Sequence, residues 1–522
     1  MRRKSFGILC ALVLALTAGG FGRAEEKTLP LTLDESIARA LKKNFAVAAQ
    51  VLEPQIAEMV LSRAEEKFIP SMSFAVNKRN TETASYSWID AEGSVKTRYN
   101  RYSGQLSQAI PFGGTLNLSL DSYKNDTNQN FQTINPRFGS TLTFDFTQPL
   151  LKDFGFNMSR REIIVARNNL DISQSQLEQM IMDVVYSVEE AYWTLAYSID
   201  NLEVRRQSLK LAQDLLDKNK RSVEVGTLAP IEILSAQAEV ATREADILAA
   251  EAQVKNYEDK LKTIINLSEE EAKTYAAVIP KDVPNIVERQ VNLEDALATA
   301  LTNRPDLRAS RIGLKNSQFS VSVAKNQLLP GLNLTASYWS PGLSGTRIIY
   351  AENNPLTGII LSRIPGAASS ALKDATNFRY PNWSLGLTLS VPLSNVFSRA
   401  AYTQAKLDFQ RASLNLKNQE QQLFLEIKNS VRAVETNYKR VQAYRVAREL
   451  AEQKLTAEEE KLRVGLSTNY MVLQYQRDLA NARTSELNAI VTYNISLGSL
   501  DKAMGVSLKN MNITVTDYWE EE

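Results

Sequence analysis

The sequence predicts an α+β protein built from two tandem repeats, in which each repeat joins β-strands to a long helical hairpin. Three observations predict this fold class. Segments from the first half of the chain recur in the second half at a fixed offset. Within each repeat, apolar and polar residues alternate with a period of two, which is typical of strands. Apolar residues then recur every seven positions, which is typical of helices packed along a shared seam.

The internal repeat divides the chain into a first repeat, residues 25–280, and a second repeat, residues 281–522, which ends in a C-terminal tail. Both repeats open with short predicted helices: LTLDESIARALKKN, from Leu31 to Asn44, aligns with VNLEDALATALTNR, from Val291 to Arg304, at an offset of 260. Beyond the strands the offset becomes 239 and holds through both hairpins. The segment 278–290 contains two prolines and is the predicted linker.

Strands are predicted at about residues 71–150 of the first repeat and about residues 332–393 of the second. In TLNLSLDSY, from Thr115 to Tyr123, leucines occupy one face and polar residues the other. Two interpretations stay open here: a soluble sandwich, or a membrane barrel with an apolar side toward lipid. Strands of about ten residues also suit a tilted membrane crossing. The predicted strands are Ser71–Arg79, Ser103–Ile110, Thr115–Tyr123, Ser140–Leu150, Leu332–Trp339 and Trp383–Leu393.

Long helical hairpins are predicted at about residues 159–267 and about residues 398–505. From Ser159 to Val225 the chain has neither proline nor glycine. The apolar repeat comprises Ile181, Val188, Leu195, Leu202, Leu209, Leu216 and Val223 in the first copy, and Ile427, Val434, Val441, Leu455 and Leu462 in the second. Arg448 is the one interruption. This repeat predicts helices packed at about 3.5 residues per turn, and alone it also suits an ordinary coiled-coil scaffold.

The first 24 residues have the pattern of a secretory signal peptide. Arg2, Arg3 and Lys4 precede a short apolar core, and Ala24 offers a small residue for cleavage. The apolar run is too short to span a bilayer as a helix, and no longer run follows it. We therefore expect an exported chain that no transmembrane helix anchors.

The composition argues against nucleic-acid binding, metal binding and catalysis. The 60 Lys and Arg residues are balanced by 59 Asp and Glu residues, so no positive excess is available for phosphates. The chain has no histidine, and its only cysteine, Cys10, lies in the predicted signal peptide. The mature chain thus lacks the commonest general base and the commonest metal ligands. We predict no catalytic residue, no cofactor, no metal, and a protein that is not an enzyme.

Several motifs occur in the same order in both repeats. They are the openings LTLDESIARAL and VNLEDALATALTNRPDLRAS, the strand-to-helix segments TQPLLKDFGFNMSR and SVPLSNVFSR, and the hairpin turns VEVGTLAPIEILSAQ and LRVGLSTNYMVLQYQ. Each motif alone is weak evidence, whereas the ordered and duplicated set is specific. Over nearly the whole predicted mature chain, this set resembles the TolC family of outer-membrane channel proteins.

The resemblance implies an α+β membrane channel, in which a homotrimer shares one β-barrel in outer-membrane lipid and one α-helical coiled-coil barrel in the periplasm. A barrel shared by several chains agrees with the number of predicted strands, because the six strands of one chain are too few for the smallest closed barrels. The resemblance also implies a passive exit duct of a tripartite efflux or secretion system, for small molecules or proteins. An inner-membrane transporter of the RND, ABC or MFS type would feed the duct through a periplasmic adaptor protein.

The resemblance places the two hairpin turns at the periplasmic tip, where the adaptor docks. Three chains with two turns each give six tips, which suits a six-fold adaptor. Gly226 and Gly465 are expected to take positive φ angles and reverse the chain. The alternative is that these residues only form turns and bind no partner. The candidate docking residues are Val225, Gly226, Thr227, Leu228, Ala229, Pro230, Val464, Gly465, Leu466, Ser467 and Thr468.

The sequence departs from the family pattern at two places. Family members often carry carboxylates just after the second turn, whereas the possible pore-tip lining here is Glu232, Met471, Gln474, Tyr475 and Asp478. Cation selectivity and the usual closed tip are therefore not implied. The first-repeat hairpin near residues 103–123 is additional to the usual two strands, and we expect it to enlarge the barrel rather than lie outside it.

Two alternatives to an efflux duct stay open. The same kind of duct serves type I protein secretion, because the transporter and the adaptor select the cargo. A non-pore periplasmic coiled-coil scaffold shares the helical hairpins, but it needs no barrel. If the protein is such a scaffold, we expect it to be soluble without detergent.

Overall fold

The computed structural model describes residues 28–514 except Ile89, Ala276 and Asn285. The predicted signal peptide, with Cys10, and residues 515–522 of the C-terminal tail lie outside the described residues. The chain forms two compact units, and each unit takes segments from both sequence repeats. The hairpin unit comprises the described residues of Met1–Phe45, Asp183–Gln290 and Arg432–Leu500, and the sheet unit those of Ala46–Met182, Val291–Val431 and Asp501–Glu522.

The elements alternate between short helices, strands and long helices in both repeats. The helices are α1 Leu33–Lys43, α2 Phe45–Glu65, α3 Phe156–Ser159, α4 Arg161–Glu224, α5 Ile231–Ile264, α6 Glu269–Thr274, α7 Leu293–Asn303, α8 Pro305–Asn326, α9 Ala368–Thr376, α10 Val396–Arg463, α11 Asn469–Met504 and α12 Ser507–Asn510. The strands are β1 Thr28–Leu31, β2 Ser71–Ala84, β3 Ser94–Ala109, β4 Thr115–Thr127, β5 Ile134–Pro149, β6 Ala277–Pro280, β7 Gly331–Tyr350, β8 Ile360–Ile364 and β9 Asn382–Ser390. β1 and β6 form a separate parallel pair.

Seven strands form one antiparallel sheet in the sheet unit. β2, β3, β4, β5 and β7 follow one another as neighbours. β9 pairs with Gly331–Trp339 and β8 with Arg347–Tyr350, so both lie along the other edge of β7. Within the described residues, neither β2 nor the β8–β9 edge has a further strand neighbour. The sheet of one chain therefore has two unpaired edges.

One face of this sheet is apolar and the other is polar, because successive side chains of a strand point to opposite faces. On the apolar face, Leu118 of β4 lies opposite Phe144 of β5, and Leu334 of β7 lies opposite Leu387 of β9. The polar face carries Ser73, Asn117, Asp145, Ser337 and Thr388 among others. Much of the apolar face is open, since Trp383 is 73% exposed, while α9 covers the part of it near Gly342. An open apolar face of this kind marks a surface that requires a partner or lipid.

The predicted strands coincide with β2, β3, β4, β5, β7 and β9, and most of the observed strands extend beyond a predicted end. Three predictions ran too far, because Ile110, Leu150 and residues 391–393 lie outside β3, β5 and β9. The additional hairpin lies inside the sheet as β3 and β4, between β2 and β5. The β1–β6 pair, the five-residue strand β8 and helix α9 were not predicted from the sequence. α9 packs directly on β7, because a Cβ atom at Gly342 would lie 2.0 Å from the carbonyl oxygen of Ala371.

The seven-residue apolar repeat forms the buried seam of the long helices. Val188 of α4 and Val434 and Val441 of α10 are fully buried. In the hairpin unit the core comprises Ala212, Leu215, Leu455, Val472, Leu473 and Leu479. Arg448 interrupts the repeat because its guanidinium Nε donates to Glu486 Oε2 on α11 at 2.6 Å. The interruption is thus an ion pair between α10 and α11.

Candidate functional site: the two hairpin turns

The first turn, Val225–Pro230, joins α4 to α5 and is closed by two backbone hydrogen bonds. The Gly226 N–H donates to the Val223 carbonyl at 3.0 Å, and the Thr227 N–H donates to the Ser222 carbonyl at 2.9 Å. Together they satisfy carbonyl groups at the helix end, with a left-handed residue just beyond it. Gly226 takes that conformation with a φ of 76°.

The second turn, Val464–Thr468, joins α10 to α11 with the same geometry. The Gly465 N–H donates to the Leu462 carbonyl at 3.1 Å, and the Leu466 N–H donates to the Lys461 carbonyl at 2.8 Å. The φ angle of Gly465 is 80°. The two turns are therefore structural copies, and both glycines have the predicted positive φ.

Replacing Gly465 by alanine is expected to destabilise the second turn by about 1–2 kcal/mol, because the left-handed conformation strains an L-residue. No clash contributes, since an added Cβ would meet no atom within 4 Å. Gly313→Ala in α8 is the matched control: its Cβ also meets no atom within 4 Å. That substitution should stabilise its helix by about 1 kcal/mol. Thermal unfolding midpoints that shift in opposite directions support this account, and equal shifts contradict it.

Most of the predicted docking residues are exposed. The exposed ones are Val225, Gly226, Thr227, Ala229, Pro230, Val464, Gly465, Leu466 and Thr468, whereas Leu228 and Ser467 are half-buried. Two of the apolar side chains are strongly exposed, Val225 at 74% and Leu466 at 79%. Each turn thus presents apolar side chains on its surface.

The residues predicted to line the pore tip lie on two helices. Met471, Gln474, Tyr475 and Asp478 follow a spacing of three and four residues on α11, so they share one helix face. Gln474 and Asp478 are exposed, and Met471 and Tyr475 are half-buried. Glu232 lies in the other hairpin, on the first turn of α5, and is half-buried. The structure therefore groups four of the five residues.

A groove of about 540 Å³ runs between α10 and α11. It is lined by Ala447, Leu450, Ala451, Gln453, Lys454, Ala457, Tyr475 and Asp478. Two of the predicted pore-tip residues, Tyr475 and Asp478, therefore border this groove rather than stand alone on the helix surface.

Equivalent positions after the two turns differ in burial. Leu473 is 6% exposed, whereas Leu234, at an offset of 239, is 61% exposed. In the same way Gln476 is buried and Gln237 is exposed. The face of α11 that carries Leu473 and Gln476 packs against the first hairpin of the same chain. The corresponding face of α5 is left open in one chain.

A buried cluster that the sequence analysis missed joins the two hairpins. The Arg243 side chain on α5 is only 5% exposed. Its Nε donates to Glu239 Oε1 at 3.0 Å, and its Nη1 donates to the Ser208 carbonyl on α4 at 2.6 Å. Its Nη2 donates to the Leu473 carbonyl on α11 at 3.2 Å, and its Nη1 lies 3.5 Å from Gln476 Oε1. One guanidinium thus connects three helices.

Arg477 brings a second guanidinium to Glu239. Its Nη2 hydrogen-bonds to Glu239 Oε2, and its Nε donates to Glu239 Oε1 at 3.3 Å. Burial alone would raise the pKa of Glu239, but the Arg477 and Arg243 guanidinium groups lower it below its ordinary value. Glu239 is therefore held as a carboxylate between two cations. We refer to Glu239, Arg243, Gln476 and Arg477 as the Arg243 cluster.

The seven-residue spacing contained a signal for this cluster. Ala236 and Ala250 are buried on α5, and Arg243 stands seven residues from each. An arginine at a core position of a helical repeat requires buried partners, because an unpaired buried charge is costly.

Within residues 28–514, as far as the structure describes them, no helix is both long and apolar enough to cross a membrane. The same part of the chain contains no group of three or more His, Cys, Asp or Glu side chains placed to hold a metal ion. The features that stand out are the duplicated turns, the Arg243 cluster and the open sheet.

Comparison with known proteins gives one consistent result. Residues 36–267 and 296–506 match the profile of the outer membrane efflux protein family. The chain is 21% identical to Nodulation protein T of Rhizobium leguminosarum bv. trifolii, over 69% of this chain and 72% of that protein. It is 24% identical to Outer membrane protein TolC of Vibrio cholerae, over 64% and 70% of the two chains. The structure of the Campylobacter jejuni CmeC outer membrane channel aligns with a TM-score of 0.64 at 16% identity, over 98% and 99% of the two chains.

The profile match covers most of the chain in both repeats. The chain belongs to the outer membrane efflux protein family. It is located in the outer membrane and extends into the periplasm, where it serves as an exit duct of tripartite efflux or secretion systems. The predicted fold class, α+β with two tandem repeats, is confirmed.

Proposed function

We propose that three copies of this chain close one barrel in outer-membrane lipid. The observation that carries this proposal is the sheet of one chain, with an open apolar face and two unpaired edges. Unpaired edges do not persist in lipid, because backbone N–H and C=O groups need partners there. Pairing β2 of one copy with the β8–β9 edge of the next satisfies both edges. Each copy supplies six strand positions, β2, β3, β4, β5, β7 and the β8–β9 edge, so three copies give 3 × 6 = 18.

The additional hairpin then enlarges the barrel. β3 and β4 lie between β2 and β5 and are paired along their length on both sides. Their apolar residues continue the apolar face, since Leu106 of β3 lies opposite both Met72 of β2 and Leu118 of β4. A barrel of about 18 strands lies within the range of outer-membrane barrels and leaves an aqueous lumen.

The hairpins support the same assembly. In one copy, Leu473 packs in a core that includes Leu215 of α4. The groove between α10 and α11 is the equivalent surface on the second hairpin, because its Lys454 stands at an offset of 239 from Leu215. The equivalent of Leu473 is the exposed Leu234. We infer that the groove of one copy receives the Leu234 face of the next, so that first and second hairpins alternate around a ring.

A disulfide between copies tests this arrangement. The test variant has Leu234→Cys together with Lys454→Cys. The only natural cysteine of the protein, Cys10, lies in the predicted signal peptide, so it does not interfere. Mild oxidation of the membrane-embedded protein is expected to give covalent dimers and trimers on a non-reducing gel. The matched control is Leu248→Cys with Lys454→Cys, because Leu248 is also exposed on α5 but lies about 21 Å further along the helix. Absence of covalent dimers and trimers from the first pair, or equal yields from both pairs, contradicts the arrangement.

The exposed turns Val225–Pro230 and Val464–Thr468 are the proposed docking sites for a periplasmic adaptor. Two structurally equivalent turns per chain, in three copies, present six similar surfaces with exposed apolar side chains. An adaptor that binds all six connects the duct to an inner-membrane transporter of the RND, ABC or MFS type. In this arrangement the duct is passive, and no catalytic residue is assigned to it.

Adaptor docking is tested by a photoreactive amino acid at Leu228 or at Ser467. With the purified cognate adaptor, both positions are expected to give cross-linked adducts of similar yield, because the turns are equivalent. Lys210 on α4 is the control position, since it is exposed but lies about 22 Å from Val225 along the helix. Cross-linking from Lys210 but not from the two turns overturns the docking proposal and leaves them as turns only.

The pore-tip lining is proposed to comprise Met471, Gln474, Tyr475 and Asp478 of α11, with Glu232 of α5. The α11 residues share one face, on which Gln474 and Asp478 are exposed and Tyr475 packs against the edge of the buried core. Their only carboxylate is that of Asp478, and Glu232 adds a second from the other hairpin. The lining therefore has few negative charges with which to select cations.

A further inference from the structure

The polar face of the sheet carries a cluster of arginine and tyrosine side chains that exit-duct function alone does not explain. Tyr99 of β3 and Tyr123 of β4 stack, with ring centroids 5.5 Å apart and 24° between the ring planes. The Cζ atom of Arg79 on β2 lies 5.6 Å from the Tyr99 ring centroid. The Cζ atom of Arg137 on β5 lies 5.8 Å from the Tyr123 ring centroid. We call these four residues the arginine–tyrosine ladder.

The backbone beneath the ladder is shaped to hold one of its rings. A Cβ atom at Gly139 of β5 would lie 2.3 Å from the ring of Tyr123. Any larger residue at position 139 would therefore displace the ring, and glycine lets the ring cover the strand. Such cover of a strand glycine by an aromatic ring is a known stabilising device in sheets. The position of Tyr123, and with it the stack, is set by the sheet itself.

The ladder carries an excess of positive charge. Arg101, beside it on β3, is neutralised by Asp121, whose Oδ1 lies 2.6 Å from the guanidinium Nη2. Within the described residues, no carboxylate lies within 4.0 Å of the guanidinium of Arg79 or Arg137. Each chain thus presents two unneutralised guanidinium groups on either side of two stacked rings.

We propose that the arginine–tyrosine ladder is a binding site for aromatic anions that pass through the duct. The proposal rests on the shared barrel proposed above, because a barrel of this kind turns its polar face toward an aqueous lumen. Each ring lies between the other ring and a guanidinium, so the exposed outer planes of the Arg79 and Arg137 guanidinium groups offer the stacking surface to an aromatic solute. The guanidinium groups hydrogen-bond carboxylate, sulfonate or phosphate groups and stack on aromatic faces themselves. Three copies place six such guanidinium groups around one lumen.

The position of the ladder suits a site near the outer opening. Arg79 and Tyr99 stand close to the connection between β2 and β3, residues 85–93, and Tyr123 stands close to the connection between β4 and β5, residues 128–133. The opposite ends of β2 and β5 lead into the helices. Positively charged arginine side chains at this level of the lumen would also raise the local concentration of anionic solutes.

Equilibrium binding of 2-naphthalenesulfonate to the purified full-length protein in detergent tests the proposal. We expect wild-type protein to bind it at least tenfold more tightly than methanesulfonate, which lacks the ring, and than benzyltrimethylammonium, which has the opposite charge. Arg79→Gln and Arg137→Gln should each weaken naphthalenesulfonate binding at least fivefold. Tyr99→Leu should remove the preference for the aromatic anion and keep binding of methanesulfonate. Arg98→Gln is the matched control, because Arg98 adjoins Tyr99 on β3 but lies on the opposite face.

Equal binding of the three probes by wild-type protein overturns the proposal. So does an equal loss of binding in Arg98→Gln and Arg79→Gln, because the effect then comes from general charge. Arg79→Lys keeps the charge but not the planar guanidinium, so its affinity for naphthalenesulfonate should lie between those of wild type and Arg79→Gln. Retained binding in this variant shows that a substitution at position 79 leaves the protein folded. Equilibrium binding does not require an open duct, whereas native mass spectrometry measures whether three copies assemble. A trimer that does not bind the aromatic anion therefore contradicts the binding site alone, and a monomer contradicts the shared barrel.

Discussion

Arg243→Met is expected to loosen the contact between the two hairpins by about 3–5 kcal/mol, since it removes one partner from a buried ionic cluster. The guanidinium links α4, α5 and α11 through Ser208, Glu239 and Leu473. Without it, the Ser208 and Leu473 carbonyls each lose a donor in a buried site, and Glu239 Oε1 keeps only the Arg477 Nε–H; methionine restores none of the lost bonds.

Hydrogen exchange of the backbone amides of α11 measures this effect directly, because local opening exposes them. A loss of that size should speed exchange near Leu473 by roughly a hundredfold to several thousandfold. Arg206→Met is the matched control, because Arg206 pairs with Glu251 at 3.1 Å across two of these helices, α4 and α5, but is half-exposed. Exposed pairs contribute about 0–1 kcal/mol. Exchange in Arg243→Met within threefold of wild type contradicts the role assigned to the cluster.

The same cluster predicts a dependence on pH. The folded protein lowers the pKa of Glu239, so the carboxylate contributes its full stabilisation above its ordinary pKa of about 4.5. That stabilisation is lost as the pH falls through the lowered pKa of the folded protein. Acid should therefore lower the protection of the α11 amides, measured against their intrinsic exchange rates at each pH, more in the wild-type protein than in Arg243→Met, where part of the stabilisation is already absent.

Leu387→Arg is expected to prevent stable insertion of the sheet into the outer membrane. Leu387 lies in the middle of β9, on the apolar face and opposite Leu334. A cationic side chain on the lipid side of a barrel costs about 2–4 kcal/mol near the bilayer midplane. The measurement is the fraction of protein that resists urea extraction from outer-membrane fractions.

Two controls separate lipid contact from ordinary core packing. Thr388→Arg changes the next residue, which lies on the polar face, and should leave insertion unchanged. Leu387→Trp should also be tolerated, because lipid chains adapt to a larger side chain, whereas a packed protein core would lose about 1–3 kcal/mol. Equal damage from Leu387→Arg and Thr388→Arg contradicts the assignment of the two faces, and damage from Leu387→Trp favours a protein-covered face.

The helices were predictable because their signals are local. The seven-residue repeat marks the buried seam, and glycine at positions 226 and 465 marks the left-handed residues that reverse the chain. The burial of Arg243 was not predicted, because a charged helix residue usually faces water. Its place seven residues from two buried alanines distinguishes it. A polar residue at a core position of such a repeat is therefore a sign of a buried contact.

The sheet was predictable in its strands but less so in its connections. Alternation identified β4, β5 and β9, since each has one apolar and one polar face. β8 was missed because it pairs only with the end of β7, over Arg347–Tyr350, and has no room for a clear alternation. α9 was missed because its burial depends on Gly342, which is distant in sequence. The difference in burial between Leu234 and Leu473 was also unpredictable, because identical spacing gives both residues the same pattern.

In the proposed assembly, one chain supplies only part of the barrel and three copies complete it. Native mass spectrometry of the detergent-extracted protein from an outer-membrane fraction measures the number of copies. We expect a single species at three times the mass of the mature chain. A monomer that stays folded in detergent, or recovery of the protein from the soluble periplasmic fraction, would contradict it.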